Sequence, residues 1–455
     1  MNEKVVVQGL GFVGAVMSLV VAESNNNYEV YGIDLPSKQD IIEKLNRGIF
    51  PITSSDKKVI EYYKKVRQKG NFKATSNPKY FAEADIIIVD VNLDIDKSIY
   101  WDNPRYAVNM DYFKDAIKSF AKICKEDVLI IVETTVPPGT CQQIVKPILI
   151  EEFSKRGLKN NFKIGHSYER VMPGPGYIDS IKNYYRVYSG INKESADATE
   201  KFLKTIISTK RFPLTRLSST NASEMAKVLE NSYRAMNIAF IQEWAEFSEN
   251  SGVNLNEVLK SIRLRKTHNN IMSPGLGVGG YCLTKDSLLA SWASQFMFNS
   301  NKLEQSEQAI RINDRMPEHS FKLVQNHFKE LEGIRILLLG VSYLKNIGDT
   351  RYSPCELLYK KFTDKKAKVD YFDPFIPKWS ETGLQSLEDK DLFDKNFDAI
   401  IIGSPHNMLF ENEYLTKIIK NKKSIFILDP FSSINEKISN ENNNHIFKFV
   451  GRGDV

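Results

Sequence analysis

The chain has 455 residues, enough for two or three domains, and 42% of them are hydrophobic, which argues against disorder and for real cores. Its net charge of +6 is mixed along the whole length, with no Lys/Arg-rich tract interleaved with aromatics, so nucleic-acid binding is not expected. Four cysteines without a CxxC pair and six histidines without ligand spacing argue against a metal site. Isolated thiols fit a reducing cytoplasm. The N-terminus lacks a secretory pattern and "AVMSLVVA" is too short to cross a bilayer, so a cytoplasmic chain with no membrane partner is expected.

The first segment alternates strands and helices. "KVVVQG" reads as a buried strand, "FVGAVMSLVVAESN" as the helix after it, and "YEVYGID" as the next strand. "ADIIIVDV" and "DVLIIVETT" are further strands. Short apolar runs between helical patterns predict a parallel sheet covered on both faces. The middle is helical. Residues 221–250 carry apolar side chains at helical spacing, with Asn221 and Glu224 spaced as a capping box and Gly252 as the stop. A second long helical pattern covers about 301–329. After Gly333, "IRILLLG", "KVDYFD", "DAIIIG" and "KSIFILD" read as strands again. The expected fold is α/β: two Rossmann-like domains with parallel sheets joined by a central helical segment, bounded at 1–205, 206–325 and 326–455. The end "VGRGDV" reads as a plain tail.

"GLGFVG" sets Gly9, Gly11 and Gly14 in the GxGxxG spacing, between a strand and a helix, with Phe12 and Val13 between the last two. Gly9 allows the tight turn, Gly11 the approach of a pyrophosphate, and Gly14 close helix–strand packing. Asp34 ends the next strand, twenty positions after Gly14. An acid there binds the adenosine ribose and disfavours a 2′-phosphate, which selects NAD. Lys38 pulls weakly the other way.

The stretch "PGLGVGGYCLTKD" (274–286) holds glycines 275, 277, 279 and 280, which leave a backbone able to approach a ligand. If "CLTKD" begins a helix, its dipole and Lys285 favour the thiolate of Cys282, and Asp286 shares its face. An inert buried cysteine is the alternative reading. Lys227 and Asn231 also stand four apart on one predicted helix. Spacing alone favours a snorkelling surface lysine; facing a cleft, Lys227 would stabilise an oxyanion or a bound water. A nicotinamide site beside an activated thiol has a defined chemistry. An alcohol becomes an aldehyde, the thiolate captures it, a second oxidation gives a thioester, and water releases an acid.

These motifs resemble the UDP-glucose/GDP-mannose dehydrogenase family, the nucleotide-sugar 6-dehydrogenases, nearly end to end. Besides the glycine turn they include "ETTVPPGT" (133–140), "SYERVMPG" (167–174), "EMAKVLENSYRAMNIAFIQE" (224–243), "GVGGYCLTKD" and "GDTRYSP" (348–354). The resemblance implies that Cys282 is the nucleophile, that Lys227 and Asp286 hold a water and stabilise alkoxide and oxyanion, and that Asn231 helps bind the sugar. It implies Glu169 as the base for thioester hydrolysis, with Thr135 near that water. Thr135, Lys285 and Arg351 would contact the cofactor. Arg170, Gly279, Gly280 and Tyr281 would line the sugar. The C-terminal domain would bind the nucleotide of a UDP-sugar, and the central helices would form a homodimer.

The chain departs from the family pattern in places. Tyr168 stands for the usual proline before Glu169, "VDVNLD" (89–94) lacks Val-Pro-Thr-Pro, Leu344 replaces a lysine beside Lys345, and "LDPFSS" lacks Arg-Asn. Tyr281 resembles UDP-glucose enzymes, whereas "ERVMPG" resembles the N-acetylhexosamine branch. The expected substrate is a UDP-N-acetylhexosamine, with UDP-glucose second and GDP-mannose third. A non-catalytic nucleotide-binding protein of this fold and a single-step alcohol dehydrogenase are the rival classes.

Overall fold

A computed structural model describes the chain except Met1, Thr53, Ser55, residues 98–105, Met172, Pro173, Asn412 and Asn421. It divides into two compact units: Met1–Glu230 with Leu288–Leu303, and Asn231–Ser287 with Glu304–Val455.

The first unit is built on an eight-stranded sheet. Its strands are β1 (Lys4–Gln8), β2 (Glu29–Ile33), β3 (Phe72–Thr75), β4 (Ile86–Val89), β5 (Leu129–Val132), β6 (Lys163–His166), β7 (Val187–Gly190) and β8 (Thr215–Arg216). Their order is β8-β7-β6-β5-β4-β1-β2-β3. The central strands "VVV", "IIIV" and "LIIV" are buried throughout, as expected of a sheet covered on both faces. One pair departs from the all-parallel expectation: β6 and β7 run antiparallel, with Gly165 opposite Gly190. The helix Gly14–Glu23 is almost wholly buried and packs with Val5, Val7, Ile86 and Ile88 in one core.

The second unit carries a five-stranded parallel sheet: β9 (Arg335–Leu339), β10 (Lys368–Phe372), β11 (Ala399–Ile402), β12 (Phe426–Asp429) and β13 (Ile446–Phe449), ordered β10-β9-β11-β12-β13. The second α/β sheet expected after Gly333 is therefore present, with β13 added. The helix Thr220–Asn250 gives its first part to the first unit and its remainder to the second. The helix Glu304–Phe328 follows the second predicted helical pattern.

Two local expectations change. Glu224 does not close a capping box on Asn221. Its carboxylate accepts the Gly139 N–H at 2.6 Å and the Cys141 N–H at 2.8 Å, pinning the "TVPPGT" turn to the long helix. A tertiary partner has outcompeted the local one. The tail is not loose either. Gly451 N–H donates to Glu249 at 2.7 Å, and a Cβ on Gly453 would stand 2.3 Å from the Ser248 carbonyl oxygen. The glycines of "GRG" let the chain end lie flat on the long helix. Among the described residues no helix is long and apolar enough to cross a membrane.

Candidate active site

The glycine turn has the geometry a dinucleotide needs. Gly9 has φ +96°, and a Cβ on Gly14 would overlap the Gly9 carbonyl oxygen at 1.8 Å, so both positions demand glycine. At Gly11 a Cβ would meet nothing within 4 Å, so that backbone is open to an approaching ligand. Phe12 is held through its carbonyl oxygen, which accepts the Tyr177 hydroxyl. Asp34 follows β2 and accepts the Leu10 N–H at 2.8 Å and the Leu35 N–H at 2.7 Å. It stays half-exposed, while Lys38 is exposed in the next turn. Backbone donors thus aim Asp34 while leaving acceptor capacity for a ribose. These residues fit NAD.

The second unit repeats the acid but not its freedom. Asp373 follows β10 and is buried. Its Oδ2 accepts the N–H groups of Val341 and Ser342, the Ser342 hydroxyl, and His406 Nε2 at 3.0 Å. His406 Nδ1 in turn accepts the Asn346 N–H at 2.7 Å, so its proton sits on Nε2. Asp373 is consumed inside the fold, which leaves the first unit as the dinucleotide domain.

A second group in the first unit gathers around Glu169. Lys227 is buried, and its Nζ donates to the Glu169 carbonyl oxygen at 2.7 Å with the Glu169 carboxylate 3.9 Å away. Lys227 is therefore not a snorkelling surface lysine. Tyr168, the departure from the usual proline, is buried beneath two cations: Lys227 Nζ lies 5.4 Å and the Arg170 guanidinium 5.2 Å from its ring. Arg170 also pairs with Glu230 at 3.0 Å. Thr135 is half-buried in the turn after β5, where its neighbour Thr134 ties that turn to Val91 at 2.8 Å. Met172 and Pro173 of the "SYERVMPG" segment lie outside the described residues.

The cysteine group belongs to the second unit. Cys282 is exposed, whereas Cys124, Cys141 and Cys355 are buried. Burial pushes the Cys124 thiol up to about 11 and Cys355 to about 12, and holds Cys141 well above its usual value. The helix begins at Asp286, not at Cys282. Cys282 stands one turn ahead, its carbonyl oxygen accepting the Asp286 N–H at 3.0 Å. Asp286 is fully buried, takes the Asn231 amide at 2.6 Å, and has Lys285 Nζ at 3.3 Å. Lys285 also lies over the Tyr281 ring at 4.4 Å, with Arg351 on the same ring at 5.8 Å. Arg351 forks onto Asp349 at 2.8 Å.

The glycines of this loop serve packing first. A Cβ on Gly279 would stand 2.3 Å from the Tyr352 carbonyl oxygen, and one on Gly280 2.7 Å from the Tyr343 ring. The Gly280 N–H is already given to the Arg351 carbonyl oxygen at 3.0 Å. Protein thus occupies the place of a Cβ at Gly279 and Gly280, and only glycine lets the loop pack this closely against Tyr343 and Tyr352. Leu344 and Lys345 are both exposed nearby.

One group escaped the sequence reading. Glu133 and Arg186 form a buried ion pair at 3.0 Å behind Asp90 and Glu169. Burial lifts the Glu133 carboxyl to about 7 even though Arg186 opposes it, and lowers His166 to about 3. The available signal was an acid closing each of two all-apolar strands, "IIIVD" and "LIIVE".

Comparison with known proteins agrees with this geometry. Models of the UDP-glucose/GDP-mannose dehydrogenase family match three segments: the NAD binding domain over residues 3–207, the central domain over 221–315 and the UDP binding domain over 337–436. A UDP-N-acetyl-D-mannosamine dehydrogenase of Methanococcus vannielii is 30% identical over 96% of this chain and 94% of its own length. One from Pyrococcus horikoshii is 29% identical over 99% of this chain and all of its own. A solved UDP-D-ManNAc dehydrogenase structure from Pyrococcus horikoshii superposes with a TM-score of 0.82 at 27% identity, covering 99% of this chain and 100% of that one. The chain belongs to the UDP-glucose/GDP-mannose dehydrogenase family and is an NAD-dependent nucleotide-sugar dehydrogenase.

Proposed function

We propose that the protein oxidises the C6 hydroxyl of a UDP-N-acetylhexosamine, UDP-N-acetyl-D-mannosamine first, to the uronic acid in two NAD-dependent steps. The observation that carries this reading is the exposed Cys282, one turn ahead of the buried Asn231–Asp286–Lys285 group. The names of the relatives and the "ERVMPG" segment support the sugar.

NAD held at Gly9–Gly14 and Asp34 would supply the hydride acceptor for both oxidations. The remaining work falls to the chain. Asp286 and Lys227 hold a water; the hydroxyl proton passes through it to the Asp286 carboxylate, and the Lys227 ammonium stabilises the developing alkoxide as the aldehyde forms. The Cys282 thiolate adds to the aldehyde carbon, and the thiohemiacetal oxygen is stabilised by Asn231 and Lys227. Loss of a second hydride leaves a thioester. Glu169 draws a proton from water near Thr135, the C–S bond breaks, and the thiol and a carboxylate are released. Lys285 and Arg351, flanking Tyr281, meet the cofactor, and Arg170 with the loop Gly279–Tyr281 borders the sugar. The acid product suits precursors of surface polysaccharides made in the cytoplasm.

Each UDP-N-acetyl-D-mannosamine should yield two NADH, by absorbance, and gain one negative charge, by ion exchange. One NADH per sugar with free aldehyde indicates a single-step alcohol dehydrogenase. Binding without NADH indicates a non-catalytic protein, and turnover only with UDP-glucose moves the substrate to the second choice.

The same reading includes a homodimer. Phe240, Trp244 and Phe247 form an exposed aromatic stripe on the long helix, with ring centroids 6.1 and 5.9 Å apart, and Tyr233 is exposed further along the same helix. A second copy of the chain covers that stripe. Light scattering should give twice the chain mass, and Trp244→Glu should give monomers; a monomeric wild type contradicts the proposal.

A further inference from the structure

Two strand ends carry acids that no step above uses. β4 is followed by Asp90 and β5 by Glu133, and the pairing of Val89 with Val132 sets the two acids side by side at the C-terminal edge of the sheet. Each lies two residues beyond a core isoleucine, Ile88 or Ile131, so both face the side covered by the helix Gly14–Glu23. Asp90 sits directly behind the glycine turn. Its carbonyl oxygen is 2.5 Å from where a Cβ on Gly9 would stand, and its own Cβ is 3.2 Å from one on Gly14.

The charges around it are unequal. Asp90 faces Glu133 from β5, Glu169 from the loop after β6, and Arg186 from the segment before β7. Glu133 also faces Lys227 from the long helix. Arg186 donates from Nη1 to Glu133 at 3.0 Å, while its Nη2 is buried with no hydrogen-bond partner among the described residues. Asp90 Oδ2 is buried and has no hydrogen-bond partner among the described residues. Burial, then the two neighbouring acids, hold the Asp90 carboxyl well above the usual carboxylate range, and Arg186 offsets this only in part. Among the described residues there is no group of three or more His, Cys, Asp or Glu side chains that could hold a metal ion.

We propose that Asp90 is the proton-bearing acid of the cofactor site: NAD binds the form in which Asp90 is protonated, and affinity falls as pH rises through its titration. The reason is charge. A dinucleotide places its pyrophosphate at the N-terminus of the helix after the glycine turn. A carboxylate at Asp90 competes for the same positive helix end and repels the pyrophosphate through a medium poor in water. The neutral carboxyl does neither. Where the free protein is partly ionised at Asp90, binding therefore takes up a proton. The inference rests on NAD lying at Gly9–Gly14.

Calorimetric titration of the full chain with NAD, in buffers of different ionisation enthalpy, tests it. The wild-type Kd should rise, approaching about tenfold per pH unit above the Asp90 titration, with proton uptake on binding. Asp90→Asn, neutral at every pH, should keep tight binding and lose both the slope and the uptake; Asp90→Ala provides a second neutral variant. A flat wild-type profile, or an Asp90→Asn variant with the wild-type slope and uptake, overturns the proposal. Gly11→Val separates the premise from the inference, because a Cβ there meets nothing and the fold should survive. Unchanged NAD binding in Gly11→Val removes the placement of the cofactor, and with it the inference. Lost binding in Gly11→Val, with a wild-type slope in Asp90→Asn, keeps the placement and removes only the role of Asp90.

Discussion

Cys282→Ser should cut formation of the acid by about a thousandfold or more while leaving NAD affinity within about twofold of wild type. A serine hydroxyl is far less ionised than a thiol near neutral pH, and it departs poorly from an acyl carbon, so capture of the aldehyde and release of the acid both suffer. NAD affinity is the proper control because the residues that fit the dinucleotide, the glycine turn and Asp34, are untouched by the substitution. The thiol can be counted directly. Cys124, Cys141 and Cys355 are buried with their thiols held up by burial, so an alkylating reagent should modify about one thiol per native chain. That modification should disappear in Cys282→Ser. Acid formation at the wild-type rate by the serine variant sinks the covalent route.

Much of the frame is legible because its signals are local. "KVVVQ", "IIIV" and "RILLL" are continuous apolar runs of strand length, and the structure makes each a central strand. The strands "KIGH" and "VYSG" carry no such signal, because their runs are short and mix small and polar residues. They become strands only because the sheet edge beside β5 accepts them. Glu224 has capping-box spacing, yet a turn more than eighty residues away takes its carboxylate. The glycines at 279 and 280 read in sequence as freedom for the backbone to approach a ligand; in the fold their missing side chains also make room for Tyr352 and Tyr343. In each case local chemistry is compatible with two partners, and tertiary packing selects the distant one. Tyr168 makes the complementary point. As a lost proline it carries little meaning in sequence; in the fold its ring supports Lys227 and Arg170.

Arg186→Met should be the most destabilising single change around this site, by about 3–5 kcal/mol, because it leaves Glu133 buried without its cation. Methionine fills much of the space, so the loss reports charge more than cavity. The effect should depend on pH in a defined direction. Burial already holds the Glu133 carboxyl at about 7 with Arg186 beside it, and removing the guanidinium raises it further. An acid held up in the fold but ordinary in the unfolded chain costs stability as pH rises, since unfolding releases its proton. The deficit of Arg186→Met should therefore be smaller in mildly acidic buffer and grow through neutrality into the alkaline range. Urea unfolding at several pH values measures it. Adding Glu133→Gln should recover most of the loss and flatten its pH dependence, because the second change removes the stranded charge. If Arg186→Met unfolds with equal loss at acid and alkaline pH, or if Glu133→Gln restores nothing, the pair is not what holds this edge of the sheet together, and the charge argument for its neighbour Asp90 weakens with it.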